Sequence, residues 1–368
     1  MSSFLGKTYQ RYLSREVFAA TLLVLAAFLA LFGFFDLINE LGEIGKGGYR
    51  IQHAVMFVTL TLPGRIYELM PIAVLIGALF ALSTLARHSE ITVLRASGLS
   101  TRELLMTLFR VAALFALLTF LIGEFVAPPA EKLGQRIRLQ AQGMALSADF
   151  RTGLWVKDEF RFINVRTVTP EAKLQGVRIY EFDDRQRLLM VSEAKEGEYL
   201  PDSIWKLTQV EQTILDYDAK GAPLRGRVDH KAEVMWQSAL NPDILSVLLV
   251  IPERMSVWNL MSYIKHLSDN HQKTQRYEIA LWKKVVYPLA ALVMVALALP
   301  FGYTHNRVGG VSLKIFSGVM LGVFFHMLNG LFSNLGIINS WPPISSAMAP
   351  SAMFFLAAVG MLWWVERR

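Results

Sequence analysis

The side chains that could do chemistry in this chain are sparse, and their spacing excludes most chemistries. Gly6-Lys7-Thr8 ends like a phosphate-cradling loop, but such a loop needs another glycine where Met1 stands. His266 and His271 fall on different faces of a helix, which makes them a poor start for a metal pair. No H-E-x-x-H or G-x-S-x-G pattern occurs, and the absence of cysteine removes thiolate ligands and disulfides. His326 and Asn329 share one helix face inside an apolar run. Polar groups there are either functional or hydrogen-bonding glue between helices. Catalysis, a metal site and a bound cofactor are all unexpected in this chain.

The densest chemistry is charge rather than catalysis. "ARHSEITVLRASGLSTRELL" (86–105) puts Arg87, Glu90, Arg95, Arg102 and Glu103 between two long apolar runs. Residues 88–97 read as a short helix with Ile91, Val93 and Leu94 apolar and Glu90 polar. Gly98 then breaks it, and Ser100 with Glu103 forms a capping box for the next helix. Two readings fit: a loop held at lipid headgroups by its arginines, or a helix that docks into a groove of another protein. Docking accounts better for Glu90 beside apolar residues.

The elements around this stretch belong to a membrane. Of the 368 residues 53% are hydrophobic and only 18% charged, too apolar for an ordinary soluble domain. Six runs are long and apolar enough to cross a bilayer: Val17–Phe35, Leu69–Leu85, Leu104–Ala127, Val285–Tyr303, Ile315–Asn334 and Ile344–Val365. Pro63 and Pro71 should kink or interrupt the second. Lysine and arginine bias places both termini and Arg87, Arg95, Arg102, Arg110, Arg307 and Lys314 in the cytoplasm. The long insert then lies outside. The net charge of +7 reads as topology-setting loop charge, since no basic stripe interleaved with aromatics suggests nucleic acid.

The insert reads as β. "LWVKDEFRFINVRTV", "LQGVRIYEFDD", "RLLMVSEAKEGEYL" and "SIWKLTQVEQTILDYD" are rich in Val, Ile, Tyr, Phe and Trp and separated by turn residues. Their apolar–polar alternation is imperfect. A meander or jelly-roll-like antiparallel sheet is expected. "MSVWNLMSYIKHL" then predicts a helix N-capped by Ser256, with Leu260, Met261, Ile264 and Leu267 as its apolar stripe. The fold class is therefore an α-helical membrane protein with six transmembrane helices and an inserted antiparallel β-jellyroll-like domain. Its parts are 1–127 with a short cytoplasmic helix near 87–98, the insert 128–258, and 259–368.

"SEITVLRASGLSTREL" and "GEFVAP" resemble the LptF/LptG family of lipopolysaccharide export permeases. So do "GLWVKD", "MSVWNLMSYIKHL", "LWKKVVYPLAALVMVALALPF" and "PPISSAMAPSAMFFLAAVGMLWW", in order along the chain. "GEFVAP" and "WPP" are nearer the LptG branch than its sister LptF. The resemblance implies a non-catalytic permease of a bacterial inner-membrane ABC transporter, with ATP bound by a partner. The implied partners are an LptB-like ATPase dimer, an LptF-like permease, an LptC-like single-span protein and lipopolysaccharide as substrate. It places the family's coupling acid on Glu90, with Ile91, Val93 and Leu94 filling the ATPase groove. The family's basic residues near the end of span 1 fall on Gly42 and Glu43, a departure. Lys46, Arg50, Lys132, Arg136 and Arg138 are substitute candidates for lipid phosphate. Phe28, Phe32 and Phe35 on span 1, and Phe316, Met320 and Phe324 on span 5, are candidates for an acyl-chain cavity. A passive membrane-anchored lipid-handling scaffold is the alternative from another class. An intramembrane enzyme is disfavoured by the missing motifs.

Overall fold

The computed structural model describes residues 2–142, 153–158, 160–169, 173–201, 204–217, 223–238, 251–303 and 311–367. Arg307, counted above with the cytoplasmic cations, lies outside them. The helices are α1 (Ser2–Leu41), α2 (Ile51–Arg87), α3 (Glu90–Ala96) and α4 (Thr101–Leu121). α4 passes through one π-turn, Ile122–Val126, into α5 (Ala127–Gln142). After the sheet come α6 (Val257–Asp269), α7 (Gln275–Val286), α8 (Ala290–Tyr303), α9 (Val311–Ile338) and α10 (Pro343–Glu366). Six helical stretches are long and apolar enough to span a membrane: Thr8–Leu41, Ile51–Arg87, Thr101–Gln142, Gln275–Tyr303, Ser312–Ile338 and Pro343–Val365. The third runs on to Gln142, so the inserted sheet begins only at Leu154.

α2 and α8 form the centre of the bundle. Leu75, Leu79, Leu82, Ala290, Met294, Val295 and Leu299 are all buried in one core with Val17, Leu108, Phe115 and Phe325. α2 is continuous through Pro63 and Pro71, against the expectation of an interruption. A proline costs a helix one N–H, but packing on every side holds the segment helical where neighbouring helices enclose it. Close approach is secured by glycine on α9. A Cβ at Gly318 would collide with Leu79, and one at Gly322 would lie 2.6 Å from Ile72.

The insert is a six-stranded antiparallel meander in the order β1 (Leu154–Asp158), β2 (Arg161–Val168), β3 (Leu174–Phe182), β4 (Leu188–Leu200), β5 (Ile204–Tyr217) and β6 (Pro223–Gln237). A crease crosses it. Pairing skips Arg166 opposite Gly176, Lys195 opposite Gln209, and Ala232 on β6. Gly176 and Gln209 both have positive φ, 64° and 53°. Buried positions change parity across this line: Ile163 and Val165 but then Val168, Leu174 but then Val177 and Ile179, Trp205 and Leu207 but then Val210. Irregular residues of this kind bend a strand and reset which face it presents.

α6 closes the sheet core. Leu260, Tyr263 and Leu267 pack with Ile163, Val177, Trp205 and Leu207. Ser256 Oγ accepts the Asn259 N–H at 3.1 Å as the N-cap. Tyr263 and His266 are buried where Met261 was expected, and Met261 is exposed. The helix is therefore seated about one residue-step round from the stripe read in the sequence.

Candidate functional site

Two places concentrate charge, one at each end of the bundle. At the α3 end, the helix terminates as the sequence predicts. Gly98 (φ +95°) follows the C-cap, with Leu99 N–H donating to Leu94 O and Gly98 N–H to Arg95 O, both 3.0 Å. That double bond pattern lets a helix stop within one residue. Ser100 Oγ then accepts the Glu103 N–H at 3.2 Å while Glu103 Oε2 accepts the Ser100 N–H at 3.1 Å. α3 is thereby held as a seven-residue bar between two fixed joints.

Its side chains divide. Ile91 is buried and points into the bundle, within reach of Gly302 at the end of α8. Its apolar surface is thus packed against its own chain rather than turned outward. Val93 is 65% exposed and Leu94 half-buried. Glu90 is half-buried and lies near the Tyr12 hydroxyl of α1. Arg95 lies over the Tyr303 ring, 4.8 Å from its centroid. Tyr12, Gly302 and Tyr303 were missed in the sequence because long-range packing has no local signature. Arg11, Arg15, Arg87, Arg95 and Arg102 make no ion pair among the described residues.

The other end is a network of matched charges. Arg65 of α2 grips Asp36 of α1 with two bonds, 2.7 and 3.0 Å, and reaches Glu68 at 3.1 Å. Arg254 binds Glu131 at 2.8 Å and approaches Glu68 at 3.7 Å. Both carboxylate oxygens of Glu124, in the π-turn, accept the Val257 N–H at 2.8 and 3.1 Å. An acid from the third span thus caps α6 from outside, where the helix has orphan donors. Glu124 was visible as a charge interrupting an apolar run; its partner was not.

The five cationic candidates separate in this setting. Arg138 sits between Glu40 at 3.5 Å and Glu43 at 3.9 Å and covers the Phe57 ring. Lys46 bonds Glu43 at 2.7 Å and, with Arg138, holds that carboxyl below its usual range. Glu43, the residue that departs from the family's basic pattern, thus binds two of the proposed substitutes. Arg50 is exposed and Arg136 half-buried, and neither makes an ion pair among the described residues; Lys132 is half-buried. The apolar candidates fare differently by helix. Phe316, Met320 and Phe324 form one exposed face of α9. On α1, Phe28 and Phe32 are half-buried and edge-to-face, while Phe35 is exposed. His326 is exposed whereas Asn329 is buried, so the two do not share a site. Asn329 donates to Phe325 O at 2.9 Å, a local structural bond. No group of side chains suited to a metal occurs among the described residues.

Residues 11–364 match the family described as lipopolysaccharide export system permease LptF/LptG. The chain belongs to that family. It is 31% identical to the lipopolysaccharide export system permease protein LptG of Escherichia coli (strain K12) over 359 residues, covering 97% of this chain and 98% of the relative. It is 29% identical to the LptG of Haemophilus influenzae over 362 residues, 98% of each chain. The protein is thus a multi-pass lipopolysaccharide export permease, the non-catalytic membrane component of an export system.

Proposed function

We propose that this permease extracts lipopolysaccharide from the outer leaflet of a bacterial inner membrane, driven by an ATPase that docks on α3. The supporting observation is α3 itself. It is a rigid bar at the arginine-rich end of the bundle with Val93 exposed and Glu90 half-buried beside Tyr12. The family resemblance suggests an LptB-like dimer as the ATPase. A carboxylate at a protein surface makes a strong charge-assisted bond to an arginine across an interface. Val93 and Leu94 supply apolar contact, and Ile91 braces the bar from behind.

An LptF-like permease and an LptC-like helix are the other proposed neighbours. α1, α9 and α10 leave broad apolar faces uncovered by their own chain, including Leu23, Phe34, Phe316, Met327, Leu356 and Trp364. Phe35, Phe316, Met320 and Phe324 lie on these faces and are the acyl-chain candidates that remain open. For lipid phosphate, Arg50 and Arg136 are favoured over Arg138 and Lys46, whose charge is already matched by Glu40 and Glu43. The lipid then passes to the creased sheet, where a groove of about 660 Å³ is lined by Ile179, Leu207, Val210 and Trp236 together with Asp158, Arg161, Glu181 and Gln212.

The test is co-expression with the candidate ATPase. Glu90→Ala is expected to lower ATPase copurification, or to leave hydrolysis without lipid release. Wild-type copurification together with wild-type release in that variant would overturn the assignment.

A further inference from the structure

α3 is joined to the chain through α2 and α4, and the sheet lies beyond the other end of the bundle. Motion at α3 is useful only if some rigid element touches both. α7 and α8, with the turn Tyr287–Leu289 between them, form one apolar stretch, Gln275–Tyr303. At one end, Ala280 is buried in the sheet core, and Tyr277 and Leu281 pack against that core. The Tyr277 ring meets Tyr263 of α6 edge-to-face at 4.7 Å. At the other end, a Cβ on Gly302 would lie 3.5 Å from Ile91 Cδ1 and 3.3 Å from Leu82 Cβ. Tyr303 there lies under the Arg95 guanidinium. Between these ends, Ala290, Met294, Val295 and Leu299 are locked in the bundle core.

Two further fastenings keep this element from slipping. Tyr287 donates to Glu68 O at 2.5 Å across the mid-turn. Gln275 Nε2 donates to Gly336 O at 2.8 Å and Trp341 O at 3.0 Å, tying the outer end to the α9–α10 corner. α2 offers a competing route through Glu68 and Arg254. The α2 link is a single contact of 3.7 Å between partly exposed side chains, and the α4–α5 stretch reaches α6 and Arg254 only by polar bonds from Glu124 and Glu131, with no side chain in the sheet core among the described residues. α2 contributes no side chain to the sheet core among the described residues, whereas α7 does. Close-packed apolar contacts transmit displacement because they cannot deform smoothly, while a loose ion pair can stretch.

We propose that α7–α8 is the strut carrying α3 displacement to the sheet, with Tyr303 the positioning residue at its receiving end and Tyr277 at its delivering end. This rests on the ATPase-driven reading above. Its test uses the complete complex reconstituted in vesicles with lipopolysaccharide, reading ATP hydrolysis and lipid released per ATP. Tyr303→Leu is expected to lower release per ATP by about fivefold or more, with ATPase copurification and thermal stability near wild type, and Arg95→Gln is expected to lower release per ATP to a similar degree. Tyr303→Phe keeps the ring and is expected to retain coupling. The Arg95→Gln/Tyr303→Leu double variant should be no worse than either single change, since both remove one contact. Tyr277→Ala should give the same loss from the far end, checked by an unchanged melting temperature of the complex.

Wild-type release per ATP in Tyr303→Leu would overturn the strut. So would a loss in Arg254→Gln without one in Tyr303→Leu, which would place the route through Arg254 and its partners on α2 and α5. Failure of the wild-type complex to move lipid on ATP would instead sink the ATPase reading, and the strut with it.

Discussion

The two ends of the bundle handle charge in opposite ways. At the outer end, Asp36, Arg65, Glu68, Arg254 and Glu131 form a continuous chain of contacts between 2.7 and 3.7 Å. Glu40, Arg138, Glu43 and Lys46 form a second. At the α3 end, Arg11, Arg15, Arg87, Arg95 and Arg102 make no ion pair among the described residues, and Glu90 lies near the Tyr12 phenol. Charges matched within the chain fix geometry, because breaking one leaves its partner stranded in a poorly solvated place. Charges left unmatched within the chain are free to meet lipid headgroups or, on the proposal above, another protein. One end is built to hold shape and the other to receive.

The sharpest way to break this contrast is Asp36→Ala. It removes the two-bond partner of a guanidinium that is only a quarter exposed. A loss of about 2 kcal/mol is expected, discounted from the fully buried case for that exposure. Thermal unfolding of the purified permease measures it. The same change made at Arg87, which makes no ion pair among the described residues, is expected to cost almost nothing. Equal losses at the two sites would abolish the distinction.

Glu124→Ala ranks next. It deletes an external cap, and caps contribute about 1 kcal/mol, so the expectation is faster amide exchange in α6 with the bundle unchanged. Exchange confined to α4 instead would deny the cap its role.

The smallest effect is a pH dependence. Burial pushes the His266 imidazole below its ordinary value, with Asp158 and Asp269 partly opposing. The folded form therefore favours the neutral ring. Its contribution is complete above the unfolded value, about 6.5, and is lost as pH falls through the lower folded one. Protection of α6 amides should decline between pH 7.5 and 5.5 in the wild type and less so in His266→Gln. A rise on acidification would reverse the sign and refute it.

Legibility in the sequence followed locality. Spans, the Gly98 stop, the Ser100–Glu103 box and the Ser256 cap are each written within a few residues, and each is where the pattern put it. The faces of the strands were unreadable for a definite reason. The crease through Gly176 and Gln209 resets alternation midway along β2–β5, so a single period never persists. The docking of Ile91 depends on Gly302, more than two hundred positions away, and the pairing of Arg138 on Glu40 and Glu43. Neither leaves a mark in a short window. Exposure alone retired Ile91 from the outward-facing set and promoted Val93.

The π-turn at Ile122–Val126 behaves like a shim in a screw thread. One additional residue in a helix advances its phase by about 100°. Everything beyond it, from Glu131 to Arg138, is aimed by that offset. Gly123 sits at its inner edge, where any Cβ would run into the Tyr67 ring. Delete one residue there and the thread would turn back, carrying Glu131 away from Arg254 and Arg138 away from Glu40. A whole row of contacts at the mouth of the bundle is timed by a single extra rung.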